Sequence, residues 1–234
     1  MVELLYTTKD EINAKIALLP IGSIEQHGPH LPLGTDSIIA EEVARKIERE
    51  LKDKVVLLPT IYYSCSLEHK GMPYVGVSYI TFINYMLDVL NSLKQLFRAV
   101  VIINGHGGNE SVLDVIRRQV NFTNDDFKVY IFNIPGKNKE LFNENDMHAG
   151  SLESSEVKAI NPDLVRDEKL REVKDYTVKK GVFETVTAPQ ANPYGIINIG
   201  GGVKIDKEKG ERALKLIIKE LKELVEEILR EYSS

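Results

Sequence analysis

The chain has 234 residues, 43% of them hydrophobic, enough to bury a substantial core, and a single domain over 1–234 is expected. A net charge of -5 with no basic run and no aromatic–basic interleaving argues against nucleic acid or an anionic membrane as partner, and leaves a small molecule. Cys65 is the only cysteine, which excludes an internal disulfide framework and fits a reducing compartment.

The N-terminal Met1-Val2-Glu3-Leu4 lacks a basic stretch followed by an apolar one, and no apolar run is long enough to span a bilayer, so a soluble cytoplasmic protein is expected. Along the chain, apolar runs bounded by turn residues alternate with helical periodicity. Lys15 to Gly22 reads as a buried strand, followed by an amphipathic helix over Ile38 to Leu51 whose start is signalled by Thr35, Asp36 and Ser37. Val55 to Tyr62 reads as a second strand, and Tyr79 to Phe97 as a helix with Ile83, Met86, Leu87, Leu90 and Leu93 spaced by three and four. Ala99 to Asn104 is a third strand leading through Gly105-His106-Gly107-Gly108-Asn109 into a helix over Glu110 to Val120. Lys128 to Ile134 is a fourth strand, Gly150 to Ile160 a helix, and Lys180 to Gly202 a set of loops with a hairpin near the mouth of the site. A last helix, about Lys207 to Glu231, carries Leu214, Ile217, Ile218, Leu221, Leu224, Val225, Ile228 and Leu229 on one stripe. Near-continuous Val/Ile/Leu strands alternating with helices predict an α/β fold, its mostly parallel sheet covered on both faces.

All five histidines fall in short loop-like stretches outside the long helices. Ser23-Ile24-Glu25-Gln26-His27-Gly28-Pro29-His30 followed by Gly34-Thr35-Asp36 offers two imidazoles and two carboxylates, His106 follows the third strand, and Asn145 to Glu153 brings His148 and further carboxylates. Ligands of open parallel sheets bind outside the carboxyl ends of the strands, so these segments converge. Two carboxylates, a bridging third and two imidazoles suit a pair of Zn²⁺ or Mn²⁺ ions, and two close metals activate water for hydrolysis. Glu68 and His69 follow the second strand and either contact substrate or form a loop salt bridge. Gly107 and Gly108 either allow close approach of substrate or serve the turn. His30 is either a supporting or a surface histidine. Cys65 lacks a local nucleophile motif and reads as a small buried residue.

The strings LPIGSIEQHGPHLPLGTD, VIINGHGGN and DMHAGSLESS, in this order, with PYGIINIGGGVKIDKEKGERAL near the C-terminus, resemble the creatininase (creatinine amidohydrolase) superfamily over essentially the whole chain. The resemblance implies a three-layer α/β/α fold, a homohexamer, and two divalent metals (zinc, manganese or iron) serving cleavage of a C–N amide-type bond through a metal-bridging hydroxide. Carried over residue by residue, it makes Glu25 and His106 ligands of one metal, His27 a ligand of the other, Asp36 the bridge, Glu153 the remaining carboxylate ligand, and His148 the group that handles the substrate's proton. The creatinine-cleaving enzymes have His-Tyr-Glu-Asn where this chain has His106-Gly107-Gly108-Asn109, so creatinine itself is not the expected substrate. Branches with the Gly-Gly form include formamidopyrimidine deformylases of flavin and deazaflavin biosynthesis and peptide-trimming enzymes of mycofactocin maturation, and a deformylase is the leading expectation. A creatinine-type cyclic amide or lactone hydrolase and a non-catalytic metal-binding scaffold are the alternatives.

Overall fold

Strand β1 (Ile16–Ile21) is buried along its whole length, which an apolar run achieves only when both faces of its sheet are covered. In the computed structural model, which describes residues 3–142 and 145–232, it pairs in parallel with β3 (Val55–Leu57) on one side and β5 (Ala99–Asn104) on the other. β6 (Lys128–Asn133) adds to β5, again in parallel, giving the order β3-β1-β5-β6. Alternate side chains sort to two cores. Ile16, Leu18, Val55, Leu57, Val101 and Ile103 pack with α1 (Thr35–Leu51) and α6 (Lys207–Glu231), while Ala17, Leu19, Val56, Val100 and Ile102 pack with α2 (Tyr79–Leu93) and α3 (Glu110–Thr123). The result is a three-layer α/β/α arrangement. Each fully buried Leu or Ile contributes about 1.5–3 kcal/mol.

Local signals explain the helix starts. Ser78 caps α2 by accepting from Thr81 N, and Asp206 caps α6 by accepting from Lys209 N. α4 (Ser151–Ile160) lies against α6 and α1. α2 ends at Leu93, short of Phe97, and the second strand ends at Leu57, because Pro59 cannot donate to the ladder. Lys180 to Gly202 forms no hairpin of its own. It contains a single bridge between Val182 and Val186 and the short α5 (Ala188–Ala191), and its strand β8 (Ile197–Ile199) pairs antiparallel with β7 (Asn145–His148), a polar stretch whose local pattern predicts a loop. A last short ribbon pairs β2 (Ile24–Glu25) with β4 (Tyr74–Val75).

The register aligns Ile21 with Asn104 and Asn104 with Asn133, so β1, β5 and β6 end along one edge. The histidine-bearing segments are anchored around that edge.

Candidate metal centre

β1 runs through Gly22 and Ser23 into β2, where Glu25 is pinned opposite Tyr74 and is fully buried. His27 follows, and the first turn of α1 returns Asp36 to the same place, held by Ser23 Oγ donating to its Oδ2 at 2.7 Å. At the end of β5 the Asn104 side chain closes the turn onto His106. Its Oδ1 accepts from His106 N at 3.2 Å, and its Nδ2 donates to His106 O at 2.9 Å. β7 carries His148, and a register shift between Asp146 and His148 bends the strand there. The next residue, Ala149, has φ 54°, and its N donates to Glu153 Oε2 at 2.6 Å, so this turn places the carboxylate of α4.

These segments bring the carboxylates and imidazoles together. Asp36 reaches two histidines with separate oxygens, Oδ1 at 3.0 Å from His27 Nε2 and Oδ2 at 3.0 Å from His106 Nδ1. Glu25 Oε1 lies 3.2 Å from His106 Nδ1 and 3.2 Å from His69 Nε2, with His148 Nδ1 at 3.8 Å. Glu153 Oε2 is 3.8 Å from His27 Nε2, and Glu68 Oε1 is 3.1 Å from His106 Nε2. Within this cluster ligand atoms converge in four overlapping groups: Glu25, His27 and Asp36; Glu25, Glu68 and His106; His27, His148 and Glu153; and Glu25, His69 and His148.

Three imidazoles share one arrangement. His27 Nδ1–H donates to the carbonyl of Glu25 at 3.0 Å, His106 Nε2–H to that of Cys65 at 2.6 Å, and His148 Nε2–H to that of Gln26 at 2.7 Å. A carbonyl only accepts, so each ring keeps one proton on the nitrogen facing the backbone; the opposite nitrogens, His27 Nε2, His106 Nδ1 and His148 Nδ1, face Asp36 or Glu25 and are the ones available to a cation, while His106 Nε2 also lies beside Glu68. This is the support that metal-ligating histidines require.

Electrostatics point the same way. Burial would lower the His27 pKa, but Asp36 and Glu153 outweigh it and push it up to about 10. His106 is likewise held well above its ordinary value, burial being overcome by Glu25, Asp36 and Glu68. Burial would raise Glu25 and Asp36, yet the imidazoles beside them hold both below the usual carboxylate range. Burial dominates at Glu153 and lifts it to about 8, with Asp36 and Asp146 adding against His27. Burial also leads at His148, which the charge of His27 helps to keep well below its ordinary value and hence neutral.

A divalent cation fits this donor set. Both oxygens of Glu25 are buried and, among the described residues, neither accepts a hydrogen bond, although imidazole nitrogens lie within 3.2 Å. An uncompensated buried carboxylate is costly, and a cation resolves the cost.

The cluster meets solvent on one side, where the Glu68 and Glu153 side chains are 13% and 19% exposed and Gly107 is exposed. Glu68 approaches His106 only because residue 108 is glycine, since a Cβ there would overlap both Glu68 Oε1 and His106 Nε2. Gly107 is not confined in this way; the nearest neighbour of a Cβ would be Pro135 at 4.0 Å. His30 stands apart from the cluster. It is buried, with Nε2 2.7 Å from Ser154 Oγ, and burial and the charge of His27 push it down to about 4. Cys65 is buried, its thiol raised to about 11 mainly by burial, and its contribution to the centre is its carbonyl.

Sequence reasoning gave no role to three residues at the centre. Gln26 has its amide nitrogen 3.0 Å from His69 Nδ1, Asp146 receives Leu152 N at 2.7 Å at the start of α4, and Phe183 packs edge-on to His148 with ring centroids 6.1 Å apart. Gln26 was hidden by lacking a charge, although it stands between Glu25 and His27.

The fold and site define an α/β protein with a buried cluster of carboxylates and imidazoles, able to hold a cation, at the carboxyl edge of its sheet. The chain belongs to the creatininase family: the family's sequence profile, described as creatinine amidohydrolase, matches residues 6–225. Similar proteins include the mycofactocin precursor peptide peptidase of Mycolicibacterium smegmatis, 32% identical over 161 residues, 66% of this chain; the match spans 62% of that peptidase's length. The 2-amino-5-formylamino-6-ribosylaminopyrimidin-4(3H)-one 5'-monophosphate deformylase of Methanobrevibacter ruminantium is 28% identical over 212 residues, 87% of this chain and 86% of that one. Among solved structures, a creatinine amidohydrolase superposes with TM-score 0.80 at 21% identity, covering 97% of this chain and 98% of its own, which shows the fold. Creatininase structures similar to this chain include a Zn-Zn form and a manganese form. No helix among the described residues is long and apolar enough to cross a membrane.

Proposed function

We propose that the chain is a divalent-metal-dependent amidohydrolase that cleaves a C–N amide-type bond of a small molecule. The observation that carries this reading is Glu25, whose two buried oxygens accept no hydrogen bond among the described residues while sitting against three imidazoles. Glu25, His27, Asp36, His106 and Glu153 would hold two ions of zinc, manganese or iron, with Asp36 shared between them. When bound, such ions polarise a carbonyl and make a water acidic enough to attack at neutral pH.

The chain's own groups handle the proton. His148, neutral and bare at Nδ1, takes a proton from the attacking water. The water oxygen bonds to the carbonyl carbon, the C–N bond breaks, and His148 returns the proton to the departing nitrogen, a role worth roughly 10² to 10⁴ in rate. Asp36 and Glu25 balance the charge gathered around the carbonyl. Glu68, Gly107 and Gly108, where the cluster meets solvent, would contact the substrate.

Within this class a formamidopyrimidine ribonucleotide deformylase of flavin or deazaflavin biosynthesis is the reading we favour, because the similarity to the Methanobrevibacter deformylase runs along 87% of the chain. A homohexamer in the cytoplasm belongs to the same reading. The test is formate release from the formamidopyrimidine ribosyl phosphate by metal-reconstituted protein, beside creatinine, simple formyl-amides and short peptides, with Asp36→Ala as blank. Metal-dependent release from the first substrate alone is the expected result. Turnover of peptides alone would move the chain to the peptidase side, and no turnover of any amide with two metals bound would overturn the amidohydrolase reading.

A further inference from the structure

His69 differs from the other histidines of the centre. Those three place a backbone carbonyl behind the ring, whereas His69 has an amide nitrogen there, Gln26 Nε2 at 3.0 Å from its Nδ1. An amide nitrogen only donates, so the lone pair on His69 Nδ1 must accept, and the ring proton resides on Nε2. The orientation of the Gln26 amide is itself fixed. Its Nε2 donates to Gly195 O at 3.1 Å and its Oε1 accepts from Gly28 N at 3.0 Å. Turning the amide over would set oxygen against oxygen and N–H against N–H. Gly195, at φ 70°, has no Cβ to collide with the Gln26 side chain, so this backbone comes close enough to clamp it.

With its two hydrogens given to Gly195 O and His69 Nδ1, Gln26 has none left for His148 Nε2, 3.1 Å away, which itself donates to the Gln26 carbonyl. The rings of His69 and His148 lie 4.5 Å apart, tilted by 46°. They therefore face Glu25 with opposite character. His69 Nε2–H is 3.2 Å from Glu25 Oε1 without the alignment of a hydrogen bond, since that oxygen accepts none. A metal ligand needs a bare nitrogen, and the nitrogen His69 turns to the centre carries a proton.

We propose that Gln26 is a positioning residue that fixes His69 as a permanent Nε2–H donor and keeps it off the metal, so that His69 and His148 meet the reacting group as an unlike pair, donor at His69 Nε2 and bare acceptor at His148 Nδ1. Resting on the amidohydrolase reading, this assigns His69 to the substrate's carbonyl oxygen, where a donor stabilises the developing negative charge, and leaves the nitrogen to His148. It also sets the substrate class: a group with an acceptor oxygen and a protonatable nitrogen on adjacent sides, as in an amide, matches the pair, and an ester or lactone lacks the second half.

Histidine-labelled, zinc-loaded protein tests the proposal without any substrate, by long-range proton–nitrogen correlation of the imidazole rings, with His69→Asn used to assign the His69 signals. Wild type is expected to show a bare Nδ1 and a protonated Nε2 at His69, with the bound zinc per chain unchanged in His69→Asn. Gln26→Glu, nearly isosteric, turns the donor into an acceptor and is expected to exchange the two His69 nitrogen signals. A bare or zinc-bound Nε2 at His69 in wild type, loss of zinc in His69→Asn, or His69 signals indifferent to Gln26→Glu would each overturn the assignment. If the ring signals come out as expected and no amide is turned over, the hydrolase reading fails while the role of Gln26 stands.

Discussion

The strand interiors and the strand ends of the same sheet are built on opposite terms. Between Ala99 and Ile103 every side chain of β5 is apolar, buried and satisfied by contact alone; three residues past Ile103, His106 lies among Glu25, Asp36 and Glu68. The interior tolerates exchange of one apolar group for another of like volume, because its energy is summed over many weak contacts. The edge does not, because each buried charge there depends on a particular partner.

Asp36→Ala should give the largest effect that distinguishes the two regions. It removes the one carboxylate that touches both His27 and His106, and the expected outcome is loss of bound metal at both positions by elemental analysis, with turnover falling to background while the circular dichroism spectrum remains. Retention of two ions would end the idea that Asp36 is shared. His148→Ala should keep the metal and cost roughly 10² to 10⁴ in kcat, read by steady-state kinetics. An unchanged rate would remove His148 from the reaction.

The converse perturbation lies in the interior. Leu90, fully buried in the α2 layer, should lose about 2–5 kcal/mol on change to Ala in denaturant unfolding, with the metal content of the folded protein unchanged. Gly108→Ala should displace Glu68 from His106 and press on the buried His106 ring, raising KM or lowering kcat in steady-state kinetics, with a smaller loss in unfolding than Leu90→Ala; unchanged kinetics would show that the Glu68 contact is dispensable.

Glu156 gives the smallest and most pH-specific effect. Burial first, then the charges of Glu153 and Asp146, hold its carboxyl well above the usual 4.5, and its Oε1 accepts no hydrogen bond among the described residues. At low pH both folded and unfolded chains keep the proton and no penalty arises. As pH rises past the unfolded value, the unfolded chain ionises first and stability falls until the raised folded pKa is reached. Glu156→Gln should therefore stabilise the metal-loaded protein at neutral pH and make no difference at low pH, in melting curves recorded at both. A variant equally stabilised at low pH would show that packing, not ionisation, is responsible.

Much of this was legible from local pattern. The runs Ile16–Ile21, Ala99–Asn104 and Lys128–Asn133 lie within the strands read from their apolar character, and the stripe on Lys207–Glu231 packs against the sheet. The segments carrying Glu25, His27, Asp36, His106, His148 and Glu153 were visible as polar breaks after those strands. β7 and β8 were not, because Asn145–His148 is a polar strand whose stability comes from pairing with Ile197–Ile199 about fifty residues away. Contacts that close so long a loop leave no trace in local periodicity.

The sequence by itself determined the family, the alternation of apolar strands with amphipathic helices, and the inventory of carboxylates and imidazoles, since these follow from residue type and short-range spacing. Only the tertiary structure decided which nitrogen of each imidazole faces the centre, that Asp36 is shared by His27 and His106, and that Gln26 sets His69 apart. A histidine's tautomer is chosen by whichever donor or acceptor stands behind the ring. Here those partners are as near as the Glu25 carbonyl behind His27 and as distant in sequence as the Gln26 carbonyl behind His148, so folding had to bring them together first.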